Sequence, residues 1–358
     1  MKYRLNKFFA RKDYTSNTTE IMPINITDPI SQILIKFEGL NSTYTTTAHP
    51  LESVTKIELI DGSDVLFSLN GKEAEALDWY HNHGQLRHNY NYIITGGTPT
   101  RMLALNFGRY LWDREYALDP RQFRNLQLRI SLSIASGGNT FTHNYLTCFA
   151  NIFEDEVLPV KGFMMVKQLK QHAVASTIHY YTDLPTDFPY RALYYRVYAN
   201  SIEASGLLSN LKLSEDQDKR IPIDNTGLEI LDLLQQEYPP VREAFYFASA
   251  IAGRTLYITP TQHVVALAST WSTSPQANNF ASEDGEGGNL STKQLADGAN
   301  QQIEVIGWIP HGVFEVPFGR KDEPTDWYDV RNIRSLMADM TGGGTGNASI
   351  FIQQVRGY

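Results

Sequence analysis

The sequence predicts an all-β protein made of two tandem eight-stranded jelly-roll β-sandwiches, with short helices and a long loop insertion in the second. Three observations support this fold class. The 358 residues suffice for two domains of ordinary size. Between Leu126 and Ile134, apolar and polar residues alternate with a period of two, which indicates a strand with one buried face. Finally, three blocks of sequence recur in the same order in both halves, which indicates a duplicated domain.

The strongest repeat is a block that begins with Phe-Gly-Arg. Residues 107–126 read FGRYLWDREYALDPRQFRNL, and residues 318–336 read FGRKDEPTDWYDVRNIRSL. With one gap, the identical positions are Phe107, Gly108, Arg109, Asp119, Arg121, Arg124 and Leu126 in the first copy and Phe318, Gly319, Arg320, Asp329, Arg331, Arg334 and Leu336 in the second. An Asp two residues before an Arg predicts a bidentate ion pair that fixes a corner of each sandwich. The alternative is that these arginines form an anion-binding site. We favour the structural role, because the same pattern in both copies is more typical of a structural element than of a single active site.

Two weaker repeats precede this block. Residues 57–77 align without a gap to residues 211–231, and each segment predicts a strand, a polar turn, a second strand and a short helix. Asn70 and Asp224 are the predicted N-caps of the two helices, because their side-chain oxygens can accept backbone N–H groups. The third block is the pair ILIKFEGLNS and ALYYRVYANS, at residues 33–42 and 192–201.

The spacing of the repeats predicts the domain boundaries. The predicted parts are an N-terminal arm (1–30), a first jelly roll (31–158), a linker (159–175) and a second jelly roll (176–358). The second roll is the longer one, and its extra length includes a segment near 272–302 that is rich in Ser, Asn, Gly and Asp. Such a composition cannot bury a core, so we expect a surface loop there.

Composition narrows the function classes. The formal net charge is −8, and an acidic balance argues against direct sequence-specific nucleic-acid binding, which relies on clustered Lys and Arg. Cys148 is the single cysteine, so no intrachain disulfide and no Cys-based zinc site can form, which favours a reducing compartment. The sequence has no apolar run of 18 residues and no segment that reads as a secretion signal.

Three histidines, His81, His83 and His88, form the candidate metal site. A His-x-His pair can place two imidazoles together, as in the metal site of a cupin enzyme. That pattern needs a Glu three to five residues after the second His, whereas Leu86, Arg87 and His88 stand there. We therefore predict a polar loop with no metal, no cofactor and no catalytic residues, and we do not expect an enzyme.

The N-terminal arm is locally basic. Its cations are interleaved with aromatic residues, and Asp13 is the first acid. The residues expected to contact a partner surface are Lys2, Arg4, Lys7, Phe8, Phe9, Arg11 and Lys12. A disordered tail is one interpretation. We favour the other, an interfacial segment that places cations on an anionic surface and the two Phe rings at its boundary.

The chain resembles the double-jelly-roll major capsid proteins of tailless icosahedral viruses with an internal membrane, including bacteriophage members. The resemblance rests on the tandem rolls, the arm, the long loop and the F-G-R … D-x-R-x-φ-R-x-L block, and it covers residues from about 30 to 358. It implies a virion protein whose homotrimers form pseudo-hexagonal capsomers of an icosahedral capsid, assembled in the host cytoplasm. The implied partners are neighbouring capsomers, minor capsid proteins and the internal viral membrane, which the arm would face.

Two other function classes remain open from the sequence. A tandem β-sandwich carbohydrate-binding or spike protein would use aromatic platforms such as Trp271, Trp308 or Trp327 on an exposed face. A two-domain jelly-roll enzyme of the tandem-cupin type would need a convergent acidic or metal cleft.

Overall fold

The computed structural model describes residues 2–42, 46–139, 141–154, 158–248, 255–271, 280–292 and 300–358. These residues form two jelly rolls side by side and a third sheet at one end of the pair. The predicted fold class, two tandem eight-stranded jelly rolls with short helices, is confirmed.

The first roll is built from two four-stranded layers, with strand orders β1-β9-β3-β7 and β2-β8-β4-β5. In chain order its elements are β1 (Tyr3–Tyr14), β2 (Thr18–Pro23), β3 (Ile30–Asn41), β4 (Val54–Asp61), β5 (Asp64–Leu69), α1 (Gly71–His81), β6 (Tyr90–Ile93), β7 (Thr100–Asn106), β8 (Leu126–Leu132) and β9 (Phe141–Phe153). The alternation that predicted β8 is confirmed, because Leu126, Leu128, Ile130 and Leu132 are buried and the residues between them are half-buried.

The second roll repeats this arrangement strand for strand, with orders β10-β23-β12-β21 and β11-β22-β13-β14. Its elements and those of its insertion are β10 (Gly162–Val174), β11 (His179–Leu184), β12 (Tyr190–Tyr198), α2 (Ala204–Leu207), β13 (Leu208–Glu215), β14 (Arg220–Asn225), α3 (Gly227–Glu237), β15 (Val241–Ala248), β16 (Thr255–Tyr257), β17 (Pro260–Trp271), β18 (Phe280–Glu286), β19 (Asn289–Ser291), β20 (Asn300–Pro310), β21 (Val313–Pro317), β22 (Leu336–Gly342) and β23 (Gly346–Gly357). Elements at the same place in the two rolls are called counterparts below.

The third sheet is the insertion of the second roll, and it has the order β16-β19-β18-β17-β20-β15-β6. Its last strand, β6, comes from the first roll and pairs parallel to β15. The sheet has its own small core, which includes Phe245, Phe247 and Ile303. The third sheet joins the rolls at the turn between β20 and β21. This turn lies at the end of the rolls opposite to Phe107 and Phe318. The end of the rolls that carries Phe107 and Phe318 is called the base below.

The structure corrects the predicted arm and linker. Residues 3–14 are strand β1, paired with β9, and residues 18–23 are strand β2, paired with β8. The predicted linker contains the counterpart of β1, strand β10, which is paired with β23. Both segments complete a sheet, because without them β9 and β23 would each leave one row of backbone groups unpaired.

The predicted surface loop near 272–302 also differs from the structure. Residues 280–286 and 289–291 are strands β18 and β19, and β20 begins at Asn300. Residues 272–279 and 293–299 lie outside the described residues. Strand pairing uses backbone groups, so a segment poor in apolar residues can still join a sheet when its neighbours supply the core.

The N-cap of α3 is Thr226, and the prediction of Asp224 was wrong. Thr226 accepts the N–H of Glu229, and Glu229 accepts the N–H of Thr226, which is the capping box that Asn70 forms for α1. The gapless alignment failed here because the β13–β14 turn is two residues longer than the β4–β5 turn.

The alignment of β3 with β12 was out of register by one residue. Gln32 lies opposite the residue before Phe107, and Ala192 lies opposite the residue before Phe318. The counterpart of Gln32 is therefore Ala192, whereas the sequence blocks had placed Ile33 there.

One hydrophobic core runs through both rolls and includes α1. Cys148 lies in this core with no exposed surface, and burial raises the pKa of its thiol, which makes it unreactive. Among the described helices, none is long and apolar enough to cross a membrane.

Candidate functional site: the seam between the two rolls

The two rolls are joined along a seam where β5 of the first roll pairs with β10 of the second. The pairing is parallel and places Phe67 beside Val166 and Ser68 beside Lys167. It fuses one layer of each roll into a continuous eight-stranded sheet. A shared sheet fixes the orientation of one roll relative to the other, because the backbone hydrogen bonds leave little freedom at the junction.

Helix α1 strengthens the seam. Glu73, in its first turn, is fully buried and accepts the side-chain amide of Gln168 on β10 at 2.8 Å. Glu73 also accepts the hydroxyl of Ser349 on β23. At the other end of the helix, the hydroxyl of Tyr80 donates to the carbonyl of Val313 at 2.7 Å. The first roll is therefore tied to three strands of the second through one helix.

The repeated Asp-x-Arg pairs have the same geometry in both rolls. Asp119 Oδ1 lies 2.8 Å from Arg121 Nε, and Asp119 Oδ2 lies 2.9 Å from Arg121 Nη2. The corresponding distances between Asp329 and Arg331 are 2.8 and 2.6 Å. Each pair is bidentate and lies at the base, just before β8 or β22, whose first residues are Leu126 and Leu336.

The two Phe-Gly-Arg segments follow the counterpart strands β7 and β21. Phe107 donates its N–H to the carbonyl of Ser31, and Phe318 does the same to Arg191, so both anchor the start of a strand. Gly319 has φ +72°, and a Cβ there would lie 2.5 Å from a backbone oxygen, so both conformation and space favour glycine. A Cβ at Gly108 would likewise lie 2.6 Å from the carbonyl oxygen of Tyr116.

The two arginines of these segments differ in burial. Arg109 is 11% exposed, pairs with Asp113 at 2.7 Å and donates across the seam to the carbonyl of Asp322 at 3.3 Å. Arg320 pairs with Asp326 at 2.6 Å but is 71% exposed. The first copy of the motif thus lies within the seam, and the second copy faces the outside of the subunit.

A cleft of about 640 Å³ opens at the base side of the seam. Its lining includes His81, His83, Arg109, Arg191, Lys321 and Tyr238. The cations of the cleft have partners within the chain: Arg191 donates to Lys321 O, His81, Gln353 and Arg109 O. Because these donors already have hydrogen-bond partners within the chain, we interpret the cleft as part of the structural contact between the rolls and not as a ligand site.

Beneath the cleft, Glu315 and Lys321 form a buried pair at 2.5 Å. The hydroxyls of Tyr194 and Tyr238 donate to the two oxygens of Glu315 at 2.7 and 2.6 Å. Burial raises the pKa of Glu315 to about 8 and lowers the pKa of Lys321 to about 7, since both charged forms are desolvated. The pair fastens the start of the second Phe-Gly-Arg segment to α1 and α3.

The three candidate histidines do not form one group. His81 and His83 line the same cleft, and His81 contacts Arg191. His88 is not part of that lining, and its backbone carbonyl accepts from Arg101. Among the described residues, the group with the spacing of a metal site is instead His49, Glu75 and His311, whose ligand atoms lie within 4.8 Å of one another.

The His49 group does not fit a cation. Arg101 is fully buried beside it, 2.6 Å from His49 Nε2, and ion-pairs with Glu243. Glu75 accepts a hydrogen bond from His311 at 2.8 Å. Because a guanidinium already supplies the positive charge, we interpret the group as a polar network that joins the first roll to the third sheet. Sequence reasoning missed it because its members are far apart in the chain and share no motif.

The residues of the predicted arm are placed along β1. Arg4 pairs with Glu154, Arg11 with Glu38 and Lys12 with Glu20, at 3.1, 3.1 and 2.7 Å. Lys7 lies over the ring of Phe149, and Lys2 is exposed at the start of the strand. Phe8 and Phe9 pack against the core of the first roll, which corrects the expectation that they insert into a partner surface.

The tryptophans of the carbohydrate-binding alternative do not form an exposed platform among the described side chains. Trp327 is 5% exposed and donates its Nε1–H to the carbonyl of Arg320, and Trp308 is half-buried against the core. The side chain of Trp271 lies outside the described part of the structure.

Two counterpart rolls joined through one continuous sheet define a double-jelly-roll protein. No known protein family matches this chain, and no curated relative was found. Solved structures match it over 99% of its length. The major capsid protein of STIV has a TM-score of 0.62 at 13% identity, with 97% of that chain covered. The major capsid protein P2 of bacteriophage PM2 has a TM-score of 0.55 at 8% identity, with 100% covered, and VP54 of PBCV-1 has 0.60 at 9%, with 93% covered. The chain therefore has the double-jelly-roll fold found in those major capsid proteins.

Proposed function

We propose that this protein is a major capsid protein whose homotrimers form pseudo-hexagonal capsomers of an icosahedral virus shell. The observation that carries the proposal is the seam, which holds two rolls of the same strand order rigidly side by side. Three such subunits supply six similar rolls, which is the number that a six-sided capsomer needs. The whole-length likeness to capsid proteins supports the same role. The role is structural, and we assign no catalytic residue.

The proposal is tested by the mass and the appearance of the purified full chain. Light scattering should give three times the 40.5 kDa subunit mass, and electron micrographs should show hexagonal particles or closed shells. A stable monomer at micromolar concentration would contradict the proposal. A monomer that binds a sugar array would instead favour the carbohydrate-binding alternative.

We further propose that the base faces the inside of the shell and that the third sheet projects outward. The basic start of β1 supports an inner anionic surface, and the internal viral membrane is the partner we favour. Because β1 extends along the roll, Arg4 and Lys12 are separated by roughly 25 Å, so only the first residues of the strand can reach one flat surface. With Phe8 and Phe9 packed inward, the contact would be electrostatic.

Vesicle flotation tests the orientation. Assembled trimers should float with anionic vesicles at low salt and be released at high salt, and Lys2→Glu, before the start of β1, should reduce flotation without changing the trimer mass. Retention on DNA with no flotation would make the genome the inner partner. Minor capsid proteins and assembly in the host cytoplasm also belong to this proposal, and mass spectrometry of purified virions tests for the former.

A further inference from the structure

The outer edges of the subunit are counterparts of the two edges that meet in the seam. Inside the chain, β5 of the first roll pairs with β10 of the second. The counterpart of β10 is β1, and the counterpart of β5 is β14. Among the described residues, β1 and β14 each have a strand neighbour on one side only. One outer edge of the subunit is therefore β1, which corresponds to the β10 half of the seam. Another outer edge is β14, which corresponds to the β5 half.

The strand pairings give the residue-level correspondence. Leu5 of β1 is the counterpart of Val166 of β10, as the cross-strand pairs show. In the first roll, Leu5 pairs with Asn151, which pairs with Gln32. In the second roll, Val166 pairs with Gln353, which pairs with Ala192, the counterpart of Gln32. Ile223 is the counterpart of Phe67, since each lies three residues before the N-cap of the following helix.

Exposure differs sharply between these counterparts. Val166 is 1% exposed in the seam, whereas Leu5 is 57% exposed. Helix α1 buries Leu77 at 4%, whereas α3 leaves the equivalent Leu233 at 60%. An apolar residue that is buried in one copy of a repeat and open in the other indicates a surface that another molecule covers.

Charge complementarity indicates what covers it. In the seam, Gln168 donates to Glu73. The counterparts of these two residues are Lys7 on β1 and Glu229 on α3, both exposed. On β1, Arg4, Arg11 and Lys12 pair with acidic residues of the same chain, whereas Lys7 is exposed over the ring of Phe149. Helix α3 carries three acidic residues and no basic one. The two outer surfaces of the same chain therefore attract each other when they belong to different copies.

We propose that β14 and α3 of one copy dock against β1 of the next copy in the way that β5 and α1 dock against β10 within the chain. The inference deepens the proposed function and rests on it. Leu5 and Leu233 become buried, and Lys7 forms an ion pair with Glu229 of the neighbouring copy. The contact is head-to-tail, each step between copies repeats the step between rolls, and the three copies of the proposed trimer close it into a ring.

Charge reversal tests this pairing in the full-length protein. Lys7→Glu and Glu229→Lys should each weaken the trimer by about tenfold or more, as measured by light scattering over a dilution series. The double variant should regain most of the trimer, since the charges are exchanged. Thermal melting of each variant checks the fold, because Glu229 also contributes to the capping box of α3.

A matched pair of apolar variants gives an independent test. Leu5→Asp should abolish the trimer. Ile21→Asp should leave it intact, because Ile21 and its counterpart Tyr181 are both exposed, at 50% and 55%, and no burial is expected there.

The outcomes separate the inference from the proposed function. A wild-type trimer that both charge reversals and Leu5→Asp leave unchanged would overturn the inference and leave the capsid proposal standing. Single reversals that break the trimer with no recovery in the double variant would also overturn the pairing. A monomeric wild-type protein would overturn both proposals.

Discussion

Asp61 and Asp216 bind the same pair of backbone groups in the two rolls. Asp61 Oδ1 accepts the N–H groups of Arg124 and of the next residue at 3.2 and 2.6 Å. Asp216 Oδ1 accepts those of Arg334 and of the next residue, both at 3.0 Å. Each carboxylate thus closes the corner at which the repeated Arg leads into β8 or β22.

Removing either carboxylate should destabilise the protein. Asp61→Ala and Asp216→Ala should each lower the free energy of unfolding by about 1–2 kcal/mol, because two backbone donors lose a charged acceptor at a partly exposed site. Asp216→Ala should lose somewhat more, because the φ of 45° at this position is left-handed and disfavours alanine. Urea unfolding measures the change, with Asp183→Ala on the exposed face of β11 as the control. A large effect at one site and none at the other would contradict the equivalence of the two corners.

The buried ion pair between Arg101 and Glu243 should couple the first roll to the third sheet. Arg101→Met and Glu243→Gln should each cost about 3 kcal/mol or more, because each leaves a buried partner without its counter-charge. The double variant should cost less than the sum of the two, as a double-mutant cycle by chemical unfolding would measure. Arg242→Met is the matched control, because that neighbouring side chain is 64% exposed. Additive losses would show that the pair is not coupled.

The last residue of the chain fastens the second roll to the first. The hydroxyl of Tyr358 accepts the N–H of Asp119 at 2.6 Å and donates to the carbonyl of Ala117 at 2.8 Å. Tyr358→Phe should lower the free energy of unfolding by about 1–3 kcal/mol, since two backbone groups lose their partner. Thermal unfolding measures the change, and Tyr181→Phe, at an exposed ring, should have little effect in that measurement. An unchanged melting temperature for Tyr358→Phe would contradict this role.

Acid should destabilise the fold through its buried histidines. Burial and nearby Arg101 hold the pKa of His49 well below its usual value, and burial and nearby Lys72 do the same for His311. The unfolded chain therefore takes up protons below about pH 6.5 that the two folded histidines do not, so their contribution to stability falls as pH falls through this range. The carboxyls of Glu75 and Glu315, whose pKa burial raises, contribute with the opposite sign. Each histidine contributes up to about 1.4 kcal/mol per pH unit.

Urea unfolding between about pH 7 and pH 6 gives the dependence of stability on pH for the wild type and for a histidine variant, and the difference between the two isolates the histidine contribution. His311→Asn should reduce this slope, and asparagine suits the left-handed backbone at this position, where φ is 53°. A slope that the substitution leaves unchanged would contradict the assignment.

The sequence could reveal the duplication because that information is local. The period-two alternation of β8 and the Asp-x-Arg pairs at Asp119 and Asp329 each lie within a few residues, so they survive as readable patterns. Strand β1 was missed as part of the first roll because it lies at a sheet edge, where most of its side chains are exposed and the apolar alternation is weak. Strand β10 was missed because it lies inside the shared sheet, where its first five residues are all buried and show no alternation. The capping residue of α3 was missed because a longer turn shifted the register.

By itself, the sequence determined that the chain is built from two copies of an all-β domain that differ in length. Only the tertiary structure decided how the copies meet. The seam joins Phe67 to Val166 and Glu73 to Gln168, and the polar network joins His49 to His311, across separations that no motif spans. Such contacts depend on where two folded surfaces come to lie against each other, and this follows from the packing of whole sheets, not from the order of neighbouring residues.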